Sequence, residues 1–389
     1  MRITILLPTV SMAGGIRVAA IYADRLSRRG HIVHLVSTYR RLTWKQTARQ
    51  FVRTAQWCSV VPPGQSHVDA LGDIHTIIPH AGPLTDKDVP DADVILATWW
   101  ETAEWVASLS PSKGAKIYFV QGDEPGFVDV RNRSRAIATW HMPLSKITIS
   151  RFLVDQIRNR CGDKDVACVP NSVDREQFNA PQRSKQKTPT IGLLYNAHAC
   201  KGCEVSLAAY HRLRVAMPEA RLVVLSALEP VRRLPLPKTA EVFVSPPQSQ
   251  IREIYARCDV WMCGSRLEGF HLPPLEAMAC RCPVVSTRVG GPLDVVRDGI
   301  NGYLVDVDDA NSLADRVLQV LRLDHVQWET MSDAALATVA NYSWDDAASQ
   351  LEQILVSIAN SSGVKRSGDT TDFMQKPASR TLPSESWHI

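Results

Sequence analysis

The chain alternates short apolar runs with longer segments whose apolar residues recur at the period of a helix. Runs such as 3–7, 190–195 and 260–263 have the length of buried strands, and segments such as 16–28 and 203–216 have the length of helices. Strands that alternate with helices form βαβ units, and such units build parallel sheets. The pattern therefore predicts an α/β protein.

The alternation occurs in two series, which a polar, Pro-containing segment near 169–188 separates. With 389 residues, the chain is long enough for two domains. We therefore expect an N-terminal domain over 1–170 and a C-terminal domain over 171–342.

Two segments follow the second series. Ser343 is a good N-cap, so we expect a last helix over 343–360. The remainder, 361–389, is polar and rich in Ser, Thr, Lys and Pro without periodicity, which predicts a disordered tail.

Composition excludes several classes of protein. Hydrophobic residues make up 45% of the chain and charged residues 22%, which is typical of a globular protein in water. The net charge of +4 does not favour nucleic acid as a partner of the whole chain. The apolar run 3–7 is too short for a membrane span, and it leads into Gly14 and Gly15 rather than into the cleavage site of a signal peptide. We expect a cytoplasmic protein.

The nine cysteines do not indicate a disulfide framework, because their number is odd and they are scattered. Cys200 and Cys203 have the spacing of a zinc pair, and Cys280 and Cys282 lie close together, but no His cluster accompanies either pair. We expect free thiols and no metal site.

The most informative stretch is 265–279, with the sequence S-R-L-E-G-F-H-L-P-P-L-E-A-M-A. A predicted strand leads into a glycine-bearing loop and then into a helix that begins with proline. Such a junction lies at the carboxyl edge of a parallel sheet, and the free N–H groups of the helix suit a diphosphate. Glu268 and Glu276 would lie at the two ends of this loop, in reach of hydroxyl groups. Taken singly, Glu268 also fits a solvated loop and Glu276 a residue that complements the helix dipole.

Two other segments suit a phosphate. Gly14 and Gly15 lie between the first strand and the first helix, where consecutive glycines form an anion-binding turn, although any tight turn can use them. Lys201 follows the first strand of the second series, where a surface lysine is the alternative.

The stretch 265–279 closely resembles the E-x7-E signature of glycosyltransferase family 4, and the resemblance extends over nearly the whole chain to about residue 358. Segments 284–291 and 298–305 look like those that follow the signature in that family. Segments 98–103 and 121–127 look like a bacterial branch with rhamnosyltransferase-like enzymes of surface-polysaccharide assembly.

The resemblance implies a GT-B fold, in which two Rossmann-like domains face each other across a cleft and the C-terminal helix returns toward the N-terminal domain. It implies an acceptor domain followed by a nucleotide-sugar domain. The expected activity is retaining transfer of a hexose or deoxyhexose, such as rhamnose or mannose, to a glycan or lipid-linked acceptor. No cofactor is expected, and no divalent metal is required if the protein itself supplies the charge that stabilises the diphosphate.

The resemblance also assigns roles. Glu268 would bind donor-sugar hydroxyls, Glu276 the ribose, and Lys201 the diphosphate, with Glu268 and Lys201 as catalytic residues. The family usually has an arginine five residues before the lysine, but Asn196 occupies that position and carries no charge. Backbone amides would hold sugar and phosphate oxygens; they belong to Gly269, Phe270, His271 and Leu272.

Six polar or aromatic residues at or beyond strand ends of the first series are candidates for acceptor binding, because aromatic faces stack on sugars and carboxylates bind hydroxyls. They are Trp99, Trp100, Gln121, Asp123, Glu124 and His141. A core tryptophan or a helix-capping acid explains them equally well.

The segment 39–58 is basic and contains apolar residues at helical spacing. This pattern is typical of a helix that lies on an anionic membrane, which would make the enzyme peripheral at the inner membrane surface. The alternative is a helix packed on its own domain with a solvated basic face.

Two other functions also remain open for the chain: a GT-B nucleotide-sugar epimerase or hydrolase, and a non-catalytic sugar-nucleotide-binding protein.

Overall fold

The computed structural model describes residues 1–362 and has the predicted α/β architecture. Its strands are β1 Arg2–Leu6, β2 Ile32–Thr38, β3 Arg40–Arg41, β4 Val60–Val61, β5 His75–Ile78, β6 Val94–Ala97, β7 Ala115–Val120, β8 Ser145–Thr148, β9 Ala167–Cys168, β10 Thr190–Tyr195, β11 Arg221–Ser226, β12 Glu241–Val244, β13 Val260–Cys263, β14 Val284–Thr287 and β15 Gly302–Val305. Its helices are α1 Gly14–Arg28, α2 Trp44–Thr54, α3 Trp100–Ser108, α4 Glu124–Phe127, α5 Val130–Trp140, α6 Arg151–Cys161, α7 Cys203–Ala216, α8 Gln248–Ala256, α9 Leu272–Ala279, α10 Pro292–Val295, α11 Ala310–Arg322, α12 His325–Val339 and α13 Trp344–Ser361.

The strands form two larger sheets and a small two-stranded sheet. The first sheet has the order β5-β2-β1-β6-β7-β8-β9 and the second β12-β11-β10-β13-β14-β15. Every pair of the second sheet is parallel, and a helix lies in each connection between consecutive strands except that from β11 to β12. The small sheet pairs β3 with β4 in antiparallel orientation, and α2 lies in the connection between them.

The second sheet has a single large apolar core. The strands β10, β11 and β13 are buried along most of their length, and α7 and α11 cover them. Such continuous apolar runs are expected of a parallel sheet that is covered by helices. They explain why the predicted bounds 190–195, 203–216 and 260–263 agree with the structure.

The described chain divides into two compact units, Met1–Tyr118 together with 351–362, and Phe119–Gln350. The first sheet ends at Cys168 and the second begins at Thr190, on either side of the predicted boundary at 170. The domain bounds 1–170 and 171–342 stay a prediction.

The last helix, α13, belongs in part to the N-terminal unit. Glu352 accepts a hydrogen bond from Arg29 Nε at 2.6 Å and lies 2.7 Å from His31 Nε2. This ion pair is formed by residues more than 320 positions apart in the sequence, so the C-terminal helix returns to the N-terminal unit as expected. Of the predicted tail, 361–389, all residues after 362 lie outside the described part of the chain.

Several elements were not assigned from the sequence, among them α5, α6, α12 and the edge strand β9. Within residues 1–362, no helix has the length and the apolar character that a bilayer span needs.

Candidate functional site

The loop that carries the two glutamates connects β13 to α9. All four residues of β13 are buried, and α9 begins at Leu272 with prolines at its first positions. Proline lacks the N–H that the first turn of a helix leaves free, so the sequence sets the start of α9 locally. The loop therefore ends at a helix N-terminus at the carboxyl edge of the second sheet, as predicted.

Glu268 is buried in this loop, with 4% of its surface exposed. Lys201 Nζ donates to both carboxylate oxygens, at 2.9 and 2.8 Å, and Ser265 Oγ donates to Oε1 at 2.8 Å. Burial alone would raise the pKa of Glu268, but Lys201, Ser265 and the nearby imidazole of His271 hold that pKa below its ordinary value. The carboxylate is therefore ionised and fixed in place.

Lys201 reaches Glu268 from a short turn that ends in Gly202. Gly202 has φ +52°, and a Cβ at this residue would lie 1.9 Å from the carbonyl oxygen of Gly264. Only glycine fits both restraints. Burial lowers the pKa of the Lys201 ammonium, but the charge of Glu268 outweighs this effect and raises it. Lys201, predicted to contact a diphosphate, is thus the cationic partner of Glu268.

Glu276 lies one turn beyond the start of α9 and is 7% exposed. The hydroxyl of Tyr255, on α8, donates to Glu276 Oε2 at 2.8 Å. Tyr255 is fully buried and packs edge-to-face on Phe178 and Trp261. The second carboxylate is therefore held by a rigid aromatic cluster.

The backbone between the two glutamates is also fixed. Ser150 Oγ donates to the carbonyl of Gly269 at 2.8 Å, and the carbonyl of Phe270 accepts from Gly291 N–H at 2.7 Å. Phe270 is buried, His271 is the N-cap of α9, and Leu272 is its first residue. The predicted amide donors thus belong to a loop with little freedom to move.

Segment 121–127 packs against this loop. A Cβ at Gly269 would lie 2.0 Å from the carbonyl oxygen of Gln121, so the two backbones touch and only glycine fits. On the same segment, a Cβ at Gly126 would lie 2.6 Å from Leu267 Cδ2. The structure therefore brings a predicted acceptor segment into contact with the predicted donor loop.

The carboxylates of this segment have structural partners. Asp123 receives two hydrogen bonds from Arg160, at 2.7 and 3.0 Å, and the guanidinium of Arg160 lies over the ring of Trp140. Glu124 is buried at the start of α4. Gln121 is half-buried. Asp123 thus has a stabilising role that the sequence did not distinguish from acceptor binding.

The other acceptor candidates belong to the helices α3 and α5 or to their ends. Trp100 is buried in α3 and belongs to the core. Trp99 is half-buried and caps the same helix, where its N–H donates to Thr102 Oγ1 at 3.0 Å. His141 is exposed at the end of α5.

Two candidate phosphate-binding positions have a simple local structure. Asn196 is exposed, and its Oδ1 accepts a hydrogen bond from His198 N–H at 2.9 Å. In the N-terminal unit, α1 begins at Gly14, and a Cβ at Gly14 would meet no atom within 4 Å. Gly15 is half-buried in the first turn. The first turn of α1 is therefore open around Gly14.

The described cysteines are free thiols, as expected. No group of three or more His, Cys, Asp or Glu with the arrangement of a metal site lies within residues 1–362.

The helix α2 exposes its apolar residues. Trp44 is 75% exposed and Val52 84%, and Thr47 is the buried residue of this helix. The alternative that these apolar residues pack on their own domain is therefore wrong. We name this feature the α2 surface; it consists of the exposed residues Arg40, Arg41, Trp44, Lys45, Arg49, Phe51, Val52, Arg53 and Trp57.

Comparison with known proteins gives a consistent result. Residues 188–323 match the family described as glycosyl transferases group 1. The chain contains a glycosyl transferases group 1 domain. Lys201, Glu268 and Glu276 all lie within this domain.

Two curated relatives match over short stretches. A sucrose synthase of Acidithiobacillus caldus is 41% identical over 91 residues, which cover 22% of this chain and 12% of that protein. A D-inositol 3-phosphate glycosyltransferase of Corynebacterium urealyticum is 38% identical over 117 residues, which cover 30% of this chain and 27% of that protein. The matched part therefore spans only a small share of the length of these relatives.

The fold extends the likeness to the rest of the chain. The Anabaena protein HepE, solved with UDP and glucose, superposes with a TM-score of 0.69 at 16% identity over 92% of this chain and 100% of that chain. The predicted GT-B fold class is confirmed. The rhamnosyltransferase-like branch stays a prediction.

Three residues that support the site of the group 1 domain were not predicted. Tyr255 follows Ile251 and Ile254 in a helical pattern and could be recognised only as a core residue. Ser265 and Ser150 are ordinary loop serines in the sequence. Their roles depend on tertiary contacts, so no local signal identifies them.

Proposed function

We propose that the protein is a retaining glycosyltransferase that moves a hexose or deoxyhexose, such as rhamnose or mannose, from a nucleotide sugar to a glycan or lipid-linked acceptor. One observation carries the proposal. Two buried carboxylates, Glu268 and Glu276, flank a run of backbone amides at the N-terminus of α9. Carboxylates accept hydrogen bonds from hydroxyl groups, and backbone amides, here those of 269–272 before the prolines of α9, donate them to phosphate oxygens. A nucleotide sugar carries both kinds of group.

The chemistry follows from charge. The bond between the anomeric carbon and the diphosphate oxygen breaks, and its electron pair leaves with the diphosphate. The anomeric carbon bonds to the acceptor hydroxyl oxygen, and the hydroxyl proton leaves with the released diphosphate. Preorganised donors at the diphosphate stabilise this charge, and one such donor contributes about 3–4 kcal/mol. In our proposal Lys201 and the amides of 269–272 supply them without a divalent metal.

The acceptor is proposed to bind beside segment 121–127, because this segment touches the donor loop at Gly269. Gln121 supplies an amide there, whereas Asp123 is engaged by Arg160. A sugar hydroxyl near this contact would lie close to both segments. Acceptor and donor would then be recognised by neighbouring parts of one unit.

We place the enzyme at the inner membrane surface through the α2 surface. At 100° per residue, the apolar residues Trp44, Phe51 and Val52 share one side of α2, and Lys45, Arg49 and Arg53 lie on the adjoining side. Eight Lys or Arg and no Asp or Glu occur between Arg25 and Val68. Exposed aromatic residues beside basic ones match the interface of a bilayer with anionic lipid.

The activity is tested by thermal unfolding with four nucleotide sugars, UDP-glucose, GDP-mannose, ADP-glucose and dTDP-rhamnose, and with the matching diphosphates. A specific ligand stabilises the folded state in proportion to its affinity. We expect a marked shift with one pair and a reduced shift in Glu276→Ala. No shift with any nucleotide contradicts the proposal.

The product separates the competing functions. With an added acceptor, a glycosyltransferase forms a new glycoside, whereas a hydrolase releases free sugar and an epimerase an isomeric nucleotide sugar. A protein that only binds sugar nucleotides gives the thermal shift and no product.

A further inference from the structure

His271 has a backbone conformation that a side chain rarely adopts. As the N-cap of α9 it has φ 71° and ψ 84°, in the left-handed region. This region is unfavourable for residues other than glycine, and such residues concentrate at functional sites. Neighbouring positions with positive φ, such as Gly202 and Gly290, are glycines. A histidine therefore occupies a position where glycine would relieve the backbone strain.

The imidazole of His271 is buried and only partly satisfied. Its side chain is 6% exposed, and Nε2 lies 3.8 Å from Glu268 Oε1. The other ring nitrogen, Nδ1, has no hydrogen-bond partner within the described part of the chain. A buried polar atom without a partner is unfavourable, so its presence beside the Glu268 carboxylate indicates a ligand.

The surroundings define the protonation of the ring. Burial lowers the pKa of His271 to about 4, although the charge of Glu268 acts in the opposite direction, so the ring is neutral at physiological pH. A neutral imidazole has one N–H and one lone pair. Because Nε2 faces the carboxylate, we assign the proton to Nε2. Nδ1 is then a hydrogen-bond acceptor.

We propose that Nδ1 of His271 accepts a hydrogen bond from a hydroxyl group of the donor sugar, next to the hydroxyl groups from which Glu268 accepts hydrogen bonds. This inference rests on the proposed function. An ionised phosphate oxygen has no proton to donate, so the partner of Nδ1 is a hydroxyl group. Because the ring lies beside Glu268, which is proposed to bind the donor sugar, and not beside Glu276, which is proposed to bind the ribose, we assign this hydroxyl group to the sugar. His271 would thus select for one hydroxyl group of the transferred sugar.

The test compares nucleotide sugars with their diphosphates by isothermal titration calorimetry. The four pairs named above are measured with wild type, His271→Gly and His271→Asn. Glycine removes both the acceptor and the strain, and asparagine tolerates the left-handed region and restores an acceptor oxygen. Thermal unfolding checks that both variants are folded.

We expect His271→Gly to bind the diphosphate with the same affinity as wild type. Its affinity for the nucleotide sugar should be about tenfold lower, because the loss of one hydrogen bond costs about 1.4 kcal/mol, which corresponds to a tenfold change in Kd. His271→Asn should recover part of the loss. In analogues of the bound nucleotide sugar, fluorine replaces one hydroxyl group of the sugar at a time. At one position this replacement should weaken binding to wild type and leave binding to His271→Gly unchanged.

Unchanged sugar binding in His271→Gly overturns the inference, as does an equal loss for sugar and diphosphate. Wild type that binds none of the eight ligands overturns the proposed function itself. A variant that loses only the sugar-dependent part of binding supports both.

Discussion

Lys201 Nζ lies 2.9 and 2.8 Å from the two carboxylate oxygens of Glu268 and forms an ion pair with both of them. The two residues are 67 positions apart in the chain. Glu268 is nearly inaccessible, whereas the Lys201 side chain is 29% exposed. An ionised carboxylate in such a place needs a cationic partner. The pair therefore links the stability of the group 1 domain to the geometry of the candidate site.

Removing Lys201 should destabilise the protein. Lys201→Ala leaves the Glu268 carboxylate with Ser265 as its remaining hydrogen-bond donor. We expect the free energy of unfolding to fall by about 3 kcal/mol, the lower end of the range for a buried pair, because the Lys201 side chain is 29% exposed. Urea unfolding measures this change. In Lys201→Ala/Glu268→Gln the loss should be smaller than the sum of the two single losses. Additive losses would show that the two residues do not stabilise each other.

The same pair predicts a dependence of stability on pH. The pKa of Glu268 is lowered in the folded state, so its contribution is complete above its ordinary pKa and is lost as the pH falls through the lowered value. The pKa of Lys201 is raised, so its contribution is lost only at alkaline pH. The difference in unfolding free energy between wild type and Glu268→Gln should shrink from pH 7 to pH 3. A constant difference would contradict the assignment.

Tyr255→Phe should weaken nucleotide binding as well as stability. The change removes the hydroxyl that donates to Glu276 and leaves the ring packing intact, so we expect a stability loss of about 1 kcal/mol. Because Glu276 is then less well oriented, affinity for the diphosphate that binds wild type should fall several-fold in calorimetry.

The matched control is Tyr210→Phe, which removes a buried hydroxyl that donates to the carbonyl of Ala220. This variant should lose similar stability and keep wild-type nucleotide affinity. Equal loss of affinity in both variants would assign the effect to stability alone.

Gly269→Ala should disrupt the contact between segment 121–127 and the loop that connects β13 to α9. The added Cβ would lie 2.0 Å from the carbonyl oxygen of Gln121, and backbone atoms must shift to make room. We expect a loss of at least about 2 kcal/mol in the free energy of unfolding. Gly64→Ala, where a Cβ meets no atom within 4 Å, should change stability by less than about 0.5 kcal/mol.

The α2 surface should bind anionic vesicles. Each basic residue near an anionic surface contributes about 1 kcal/mol, so replacing Arg40, Arg41, Lys45, Arg49 and Arg53 with Gln should abolish flotation with phosphatidylglycerol vesicles. Wild type should not float with neutral phosphatidylcholine vesicles, and salt should weaken its binding.

A second variant, Trp44→Ser/Val52→Ser, tests insertion of the apolar residues and should also float poorly with anionic vesicles. If both variants float like wild type, the α2 surface is not a membrane contact. If only the basic residues matter, binding is electrostatic and the helix does not enter the bilayer.

The sequence predicted those parts of the fold that depend on local pattern. The strand β13 and the proline-started helix α9 are recognisable because a buried strand is a continuous apolar run and proline marks a first helical turn. The helix α12 was not assigned, although Asp324 and Gln327 form a capping box at its start, which is a signal that the sequence carries.

The strand, loop and helix that carry the candidate residues were predicted, but the contacts of these residues were not. Glu268 lies in the loop and Glu276 in α9. Their partners Lys201 and Tyr255 come from the start of the second sheet and from α8, and only packing brings these elements together. The strained backbone of His271 also has no signature in the sequence, since residue type alone does not reveal a positive φ.

The backbone contact between Gly269 and Gln121 has a consequence for engineering. No side chain fits between the two peptides, so Gly269 cannot be replaced in a redesign of this loop while segment 121–127 is kept unchanged. Libraries that vary both segments together should yield folded variants with altered preference more often than libraries that vary either one alone.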